Sequence, residues 1–340
     1  MEGNDFVQSL RDNKNILEKS FGKVSSFNFT KEAFKKSSWD AMTTRARGLY
    51  LDNQTGDVRI RGYDKFFNIN ERDETSIQAL QDTLVFPVQG YLKENGFLTL
   101  MSYIEGKGLT IATKTTLEGE HVDIAKRVFH TLPDDVQKDV EQFVKDNNCT
   151  LVFECCDSQA DPHIIEYDEP KLVLLECIDN DLKYSHDRYS LLELHSQALG
   201  LPWIKKHTHT FNNWGEFYNE YVAICKEGYK YNGEYVEGFV FEDANGFMVK
   251  LKTDYYKSQK NLRGMASIIF RTGTFKYTGS LLTPYDNKFY KYCMDIYHEA
   301  EKYENKKEIL NEIRNLSFIN LRNYFELNVS PQKLVLLEGK

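Results

Sequence analysis

The chain has 340 residues, of which 41% are hydrophobic and 28% are charged, and its formal net charge is −8 at pH 7. That length predicts about two domains, and the apolar content is enough for a packed core. The acidic balance excludes a global basic field of the kind that attracts nucleic acid, although lysines gathered in one groove could still bind RNA.

The cysteines and the N-terminus indicate the compartment. The six cysteines show no C-x-x-C spacing, so neither a zinc ribbon nor a disulfide framework is predicted. The N-terminus lacks the basic-then-apolar pattern of a signal peptide, and no apolar run is long enough to cross a membrane. We therefore expect a cytoplasmic protein without a membrane partner.

The N-terminal region predicts one helix and one β-hairpin. Residues 4–20 place apolar side chains among charges, and residues 43–62 contain two strand-like runs around a turn signal. Arg47 stands at the entry to the first of these strands. Lys65 follows the second strand and precedes the aromatic pair 66–67, which we expect to lie in the core rather than against a ligand.

The stretch 90–98 predicts a strand, a tight turn and a second strand. Its turn reads Lys93-Glu94-Asn95-Gly96, with an apolar run before it and an alternating run after it. We expect Lys93 at the mouth of a sheet, with Gly96 free to take a positive φ in the turn. Asn-Gly is also an ordinary hairpin turn, so this signal depends on the charged residues that follow downstream.

The next region alternates strands with a broken helix. Lys114 ends one predicted strand, residues 119–147 predict a helix interrupted near Pro133, and Glu154 ends a short apolar strand. A carboxylate at the end of a buried strand needs a cation or hydrogen-bond donor. The strands predicted here cover residues 109–113, 151–154, 164–165 and 171–178.

A second hairpin is predicted over residues 235–256, after two helices at about 188–198 and 215–226. Its first strand opens with Glu237, and its second carries Lys250 and Lys252. Because side chains alternate between the two faces of a strand, both lysines share one face. Standing alone, such a Lys-x-Lys pattern is typical of a solvated surface.

From about residue 258 to the end, apolar side chains follow helical spacing among many charges. We therefore place a domain boundary near residue 257. The predicted fold is α+β, with antiparallel sheets and flanking helices over residues 1–257 and an all-helical domain over residues 258–340.

The polar residues at these strand ends suit nucleotidyl transfer. A lysine that attacks an α-phosphorus must be neutral, and its ordinary pKa is near 10.4. A cation ~4 Å away, at an effective dielectric of about 20, is worth roughly 4 kcal/mol, or about three pKa units. Cations also offset charge in the transition state, and carboxylates can hold a divalent metal, expected to be Mg²⁺.

In these residues the chain resembles the covalent nucleotidyltransferases, and among them RNA ligases of the bacteriophage RNA ligase 1 type. The adenylyltransferase domain of fungal tRNA ligases is similar as well. At position 95 the phage pattern has Asp and the fungal pattern has Asn, as here. The resembling segments are 45–52, 64–71 (with Lys-Phe-Phe-Asn), 93–96, 153–154, 171–175, 237–240 and 250–256.

The resemblance implies a nucleotidyltransferase fold and a set of site residues. Lys93 would be the catalytic nucleophile that forms lysyl-AMP from ATP, with Mg²⁺ or Mn²⁺ as the metal. Glu154 and Glu237 would contact the metal or the nucleoside. The residues implied to bind ATP or AMP are Arg47, Lys65, Lys93, Lys114, Glu154, Glu237, Lys250, Lys252 and Tyr256.

The resemblance also implies an activity, namely ATP-dependent joining of RNA 3′-hydroxyl and 5′-phosphate ends in RNA or tRNA repair. RNA, including broken tRNA, would be the partner, and a separate end-healing kinase or phosphatase could prepare its ends. The helical tail would select the RNA. The alternatives are a fungal-type tRNA splicing ligase domain, an mRNA-capping guanylyltransferase and a non-catalytic RNA-binding protein on the same fold. Capping enzymes should carry a β-barrel after the Lys-x-Lys strand, where this sequence predicts helices.

Overall fold

The computed structural model describes residues 3–186, 188–276 and 283–338. The chain forms two compact units. The first contains Met1–Asp161, Tyr167–Asn219 and Gly238–Leu251, and the second contains Pro162–Glu166, Glu220–Glu237 and Lys252–Lys340. The predicted functional division at residue 257 stays a prediction.

The strands of the described ranges form three sheets. Two have four strands, in the orders β1-β2-β3-β4 and β10-β9-β7-β8, and one has five strands, in the order β11-β6-β12-β13-β5. Their bounds are β1 (Ile16–Ser20), β2 (Val24–Phe29), β3 (Leu49–Asp52), β4 (Val58–Arg61), β5 (Phe67–Asn68), β6 (Val88–Lys93), β7 (Phe97–Ile104), β8 (Gly108–Thr113), β9 (Cys149–Cys156), β10 (Lys171–Asp179), β11 (His207–Phe211), β12 (Gly238–Glu242) and β13 (Met248–Lys252).

The helices of the first unit flank these sheets, and the later helices form most of the second unit. A 3₁₀ turn spans Asp73–Thr75. The helices are α1 (Gly3–Asp12), α2 (Lys31–Lys35), α3 (Ala41–Arg45), α4 (Ile77–Thr83), α5 (Glu120–Phe129), α6 (Asp134–Asp146), α7 (Tyr189–Ala198), α8 (Trp214–Ile224), α9 (Asp254–Thr272), α10 (Pro284–Ala300), α11 (Lys306–Asn315), α12 (Phe318–Glu326) and α13 (Pro331–Glu338).

The core of the first unit lies on both faces of the β10-β9-β7-β8 sheet. Tyr50 and Ile60 of the N-terminal sheet pack with Leu100 and Val152 on one face. On the other face, helices α5, α6 and α7 cover a cluster that includes Phe153. Because apolar area is buried on both faces, this sheet forms a rigid base for side chains at its edges.

The second unit is built around a helical core. Side chains such as Ile269, Phe289 and Ile296 are buried in one cluster that α9, α10, α11, α12 and α13 share. The hydroxyl of Thr253 accepts a hydrogen bond from the amide of Tyr256 and so caps the start of α9. Gly273, at φ 72°, ends that helix in the left-handed conformation. The α+β fold with a helical C-terminal region is therefore confirmed, and no described helix is long and apolar enough to cross a membrane.

Two sequence expectations about elements were wrong. The helix expected over residues 4–20 ends at Asp12, because the side chain of Asn13 accepts the amide of Asn15 in a turn and the chain continues as β1. Residues 164–165 form no strand. Instead, Ile164 is buried in the helical core of the second unit, which explains its apolar character without a sheet.

Candidate active site

One cavity of about 270 Å³ in the first unit collects six of the predicted site residues. Most strands that line it belong to two sheets, with β6, β12 and β13 from one and β7, β9 and β10 from the other, and Phe29 of β2 contributes from the third sheet. Five cations and one carboxylate that are distant in sequence therefore share one space. They are Arg47, Lys65, Lys93, Lys114, Glu154 and Lys250.

The turn after Lys93 joins two sheets. β6 belongs to the five-stranded sheet and ends at Lys93, whereas β7 belongs to a four-stranded sheet and begins at Phe97. The ammonium of Lys93 donates to the carbonyl of Glu94 at 3.1 Å. The interpretation of this turn as an ordinary hairpin is therefore wrong, and Lys93 lies where the two sheets meet around the cavity.

Two hydrogen bonds fix the backbone of this turn. The amide of Asn95 donates to the hydroxyl of Tyr167 at 2.7 Å, and the amide of Gly96 donates to a carboxylate oxygen of Glu154 at 3.1 Å. A buried backbone amide without a hydrogen-bond partner costs free energy, so these two bonds hold the turn in place. The predicted need of Glu154 for a donor is met by the same turn that presents Lys93.

Gly96 is required for a reason other than the predicted one. It does not adopt a positive φ. A β-carbon at this position would lie 2.0 Å from the carbonyl oxygen of Cys155, on strand β9. The glycine is needed because the turn passes directly against the backbone of the neighbouring sheet.

Two lysines of the cavity lose proton affinity. Burial, together with the charges of Lys65, Arg47 and Lys93, lowers the pKa of Lys250 to about 7. Burial also lowers the pKa of Lys65 to about 8, with Arg47 adding to the effect. A neighbouring anion would reverse these shifts, because it would stabilise the charged forms.

Arg47 and Lys114 extend the same positive region. The Nη1 atom of Arg47 is buried and has no hydrogen-bond partner among the described residues. Burial lowers the pKa of Lys114, and the charge of Arg47 contributes. A buried guanidinium donor without an acceptor is costly, so this end of the cavity suits a phosphate-like anion.

The other three predicted site residues belong to the second unit, where they contact one another. Lys252 forms an ion pair with the buried carboxylate of Glu237 at 2.9 Å. Its ammonium also lies 4.5 Å from the centre of the Tyr256 ring. Their predicted contacts with a nucleotide or a metal stay predictions.

The described residues include no group of three or more His, Cys, Asp or Glu side chains placed to hold a metal. Glu154 is the predicted metal carboxylate that lines the cavity. Because Mg²⁺ is often held by one or two carboxylates together with substrate phosphates, Glu154 fits a metal that binds with a phosphate ligand. The metal role predicted for Glu237 stays a prediction.

Sequence reasoning missed a second polar group of this cavity. Lys205 and Glu242 line it, and Lys205 forms an ion pair with the fully buried Glu176 at 3.0 Å. Phe66, expected in the core, also lines the cavity. Lys205 carries no local sequence signal, whereas Glu242 could have been found by following the alternation of β12 from Val240.

A family model described as RNA ligase matches residues 45–256. The chain is similar to the tRNA ligase of Candida albicans, with 28% identity over 274 residues that cover 70% of this chain and 32% of that protein. It is also similar to tRNA ligase 1 of Schizosaccharomyces pombe, with 27% identity over 173 residues that cover 47% of this chain and 21% of that protein.

The chain thus spans about a third or less of the length of these two curated relatives. Among solved structures, it is similar to an archaeal ATP-dependent RNA ligase, with a TM-score of 0.55 at 13% identity. That match covers 95% of this chain and 79% of the other, and at this identity it shows the fold alone.

Proposed function

The chain belongs to the RNA ligase family of the bacteriophage T4 type, and on that premise we propose that it seals RNA by way of a lysyl-AMP intermediate formed from ATP. The observation that carries this proposal is the position of Lys93, which shares one cavity with Arg47, Lys65, Lys114 and Lys250. This arrangement provides a nucleophilic amine and the positive charge that a triphosphate requires.

In the first step, the Nζ atom of Lys93 bonds to the α-phosphorus of ATP, pyrophosphate leaves with the electron pair of the broken P–O bond, and the amine loses its proton to solvent. The charge of Lys93 is among those that lower the pKa of Lys250. Lys93 therefore lies close enough to the other cations of the cavity for their charges to interact. The surrounding cations also stabilise the charge that develops on the phosphates.

The turn residues position this nucleophile. Tyr167 holds the amide of Asn95, and Lys171 lies 3.6 Å from the carboxylate of Glu94. Glu154 would hold a divalent cation that arrives with the triphosphate. When bound, that cation would supply further neutralisation of phosphate charge.

In the second and third steps, AMP passes to an RNA 5′-phosphate, and a 3′-hydroxyl then displaces AMP to form the new bond. We assign Lys252, Glu237 and Tyr256 to contacts with the nucleotide or RNA during these steps. Two relatives are named tRNA ligases, so broken tRNA is the proposed substrate, with its ends prepared by a separate enzyme. The helical region from residue 258 onward would select that RNA.

We expect the chain to join a tRNA broken in its anticodon loop, with a 3′-hydroxyl and a 5′-phosphate, when ATP and Mg²⁺ are present. Denaturing gel electrophoresis of end-labelled RNA measures the joining. Lys93→Ala should fail on the 5′-phosphate RNA but should still join RNA that is already adenylylated, because only the first step needs this amine.

A chain that binds ATP and this RNA but joins neither substrate would contradict the proposal. That result would favour the second candidate function, a non-catalytic RNA-binding protein.

A further inference from the structure

The cavity has a second polar end that the reaction steps above leave unassigned. In the paired strands β6 and β12, Gly238 lies opposite Lys93, Val240 opposite Tyr91, and Glu242 opposite Gln89. Four residues therefore separate the level of Lys93 from the level of Glu242, which corresponds to about 14 Å along the strands. Glu242 lies at the end of the cavity away from the nucleophile.

Apolar side chains line the space between these two ends. Tyr91, Val240 and Met248 contribute from the five-stranded sheet, and Leu98 and Leu175 contribute from the other. A slot with apolar walls on both sides suits a flat heterocycle. A nucleotide joined at its phosphorus to Lys93 would thus place its base toward Glu242.

The charged groups at this far end are held in fixed positions. The ammonium of Lys205 lies 3.0 Å from an oxygen of Glu176, 3.9 Å from one of Glu242, and 4.4 Å from the centre of the Tyr91 ring. His186 lies 3.6 Å from the other oxygen of Glu242. Glu242 therefore offers a carboxylate whose orientation is set before a ligand arrives.

Glu242 has unmet acceptor capacity at this position. An ionised carboxylate has about four acceptor sites, and the ion pairs of Glu242 with Lys205 and His186 are longer than hydrogen bonds. Burial, together with the nearby Glu176, raises the pKa of Glu242. A neutral N–H donor in the cavity would therefore be bound by a poorly solvated acceptor.

We propose that Glu242 reads the nucleotide base by accepting a hydrogen bond from the exocyclic 6-amino group of adenine. Lys205 acts as a positioning residue, because it holds Glu242 and is itself held by Glu176. This inference rests on the proposed function, which places the α-phosphorus at Lys93.

The test compares ATP with purine riboside triphosphate, which lacks only the 6-amino group. The measurement is the rate of lysyl-nucleotide formation at subsaturating nucleotide. We expect the wild type to use ATP about 10-fold better or more, the discrimination typical of a lost charge-assisted hydrogen bond. Glu242→Ala should use both nucleotides within about twofold, and the exposed Glu312→Ala should keep the wild-type preference.

An unchanged preference in folded Glu242→Ala would overturn the inference, since the amino group would then be read elsewhere. If Glu242→Ala fails to fold, Glu242→Gln replaces it. The amide oxygen of glutamine is an uncharged acceptor, so this variant should reduce the preference for ATP over purine riboside triphosphate at least threefold. If the wild type forms no lysyl-nucleotide, the proposed function fails separately. In that case, the affinities of ATP and purine riboside triphosphate are measured by calorimetry. The wild type should bind ATP about 10-fold more tightly or more, and Glu242→Ala should bind the two nucleotides within about twofold.

Discussion

Lys250→Met is expected to reduce lysyl-AMP formation at least 100-fold and, at the same time, to stabilise the protein. Lys250 is buried beside other cations in the cavity, and its ammonium donates to the carbonyl of Phe66 at 3.2 Å. Removing a positioned cation from a charge-stabilising site typically costs about 100- to 1,000-fold in rate. Removing a poorly solvated charge from the unliganded fold relieves a cost.

The stability effect should depend on pH in a defined direction. The pKa of Lys250 is about 7 in the fold and 10.5 ordinarily. The unfolded chain therefore binds more protons between these values, so wild-type stability rises with pH across this window. The advantage of Lys250→Met should be on the order of 5 kcal/mol at pH 6, should fall as the pH rises, and should vanish only above about pH 10.5, where the unfolded chain is neutral at this position as well. Urea unfolding at several pH values measures it.

The exposed Lys138 offers a matched control, since Lys138→Met removes the same charge from the surface of α6. That variant should label at the wild-type rate and change stability by less than about 0.5 kcal/mol. A Lys250→Met protein that labels normally would show that Lys250 is not a phosphate contact. One that is less stable than the wild type at pH 6 would show that the charge of Lys250 does not destabilise the unliganded fold.

Gly96→Ala is expected to destabilise the first unit by about 3 kcal/mol and to slow lysyl-AMP formation at least 100-fold. The new methyl carbon would lie 2.0 Å from the carbonyl oxygen of Cys155, so the turn must move away from β9. Overpacking against a rigid neighbour typically costs 1 to about 3 kcal/mol. A shift of ~1 Å at a nucleophile can cost about 100-fold in rate.

Gly264→Ala is the control for this change. Gly264 lies within α9, and a methyl group there would meet no atom within 4 Å. Since alanine has a higher helix propensity than glycine, the free energy of unfolding of the control should rise by up to about 1 kcal/mol. The control should form lysyl-AMP at the wild-type rate. Thermal unfolding measures the stability of both variants, and labelling with ATP measures their activity. A Gly96→Ala protein that matches the wild type in both would show that the close contact between the turn and Cys155 does not require glycine.

Much of the cavity could be predicted from sequence because its cations stand at strand ends beside strong local patterns. Lys93 follows an apolar strand and Lys250 lies in an alternating one, so each could be placed without knowledge of distant contacts. The resemblance to phage RNA ligases and fungal tRNA ligases, carried by these residues, is confirmed by the family match and by the relatives.

The remainder depended on contacts between residues far apart in sequence. Gly96 was correctly singled out for the wrong reason, because its constraint comes from Cys155, 59 positions later. Lys205 could not be found, since its role depends on the ion pair with Glu176, which lies 29 positions earlier in the chain. Ile164 was misread as a strand residue because burial in a helical core gives the same local signal.

The central claim is that Lys93 forms a covalent bond with AMP. The most direct measurement is incubation with α-labelled ATP and Mg²⁺, followed by denaturing electrophoresis and mapping of the labelled peptide. We predict label on Lys93 that acid removes and alkali does not, as for a phosphoramidate, and none on Lys93→Ala. Equal label on Lys93→Ala, or no label on a wild type shown to bind ATP, would contradict the claim.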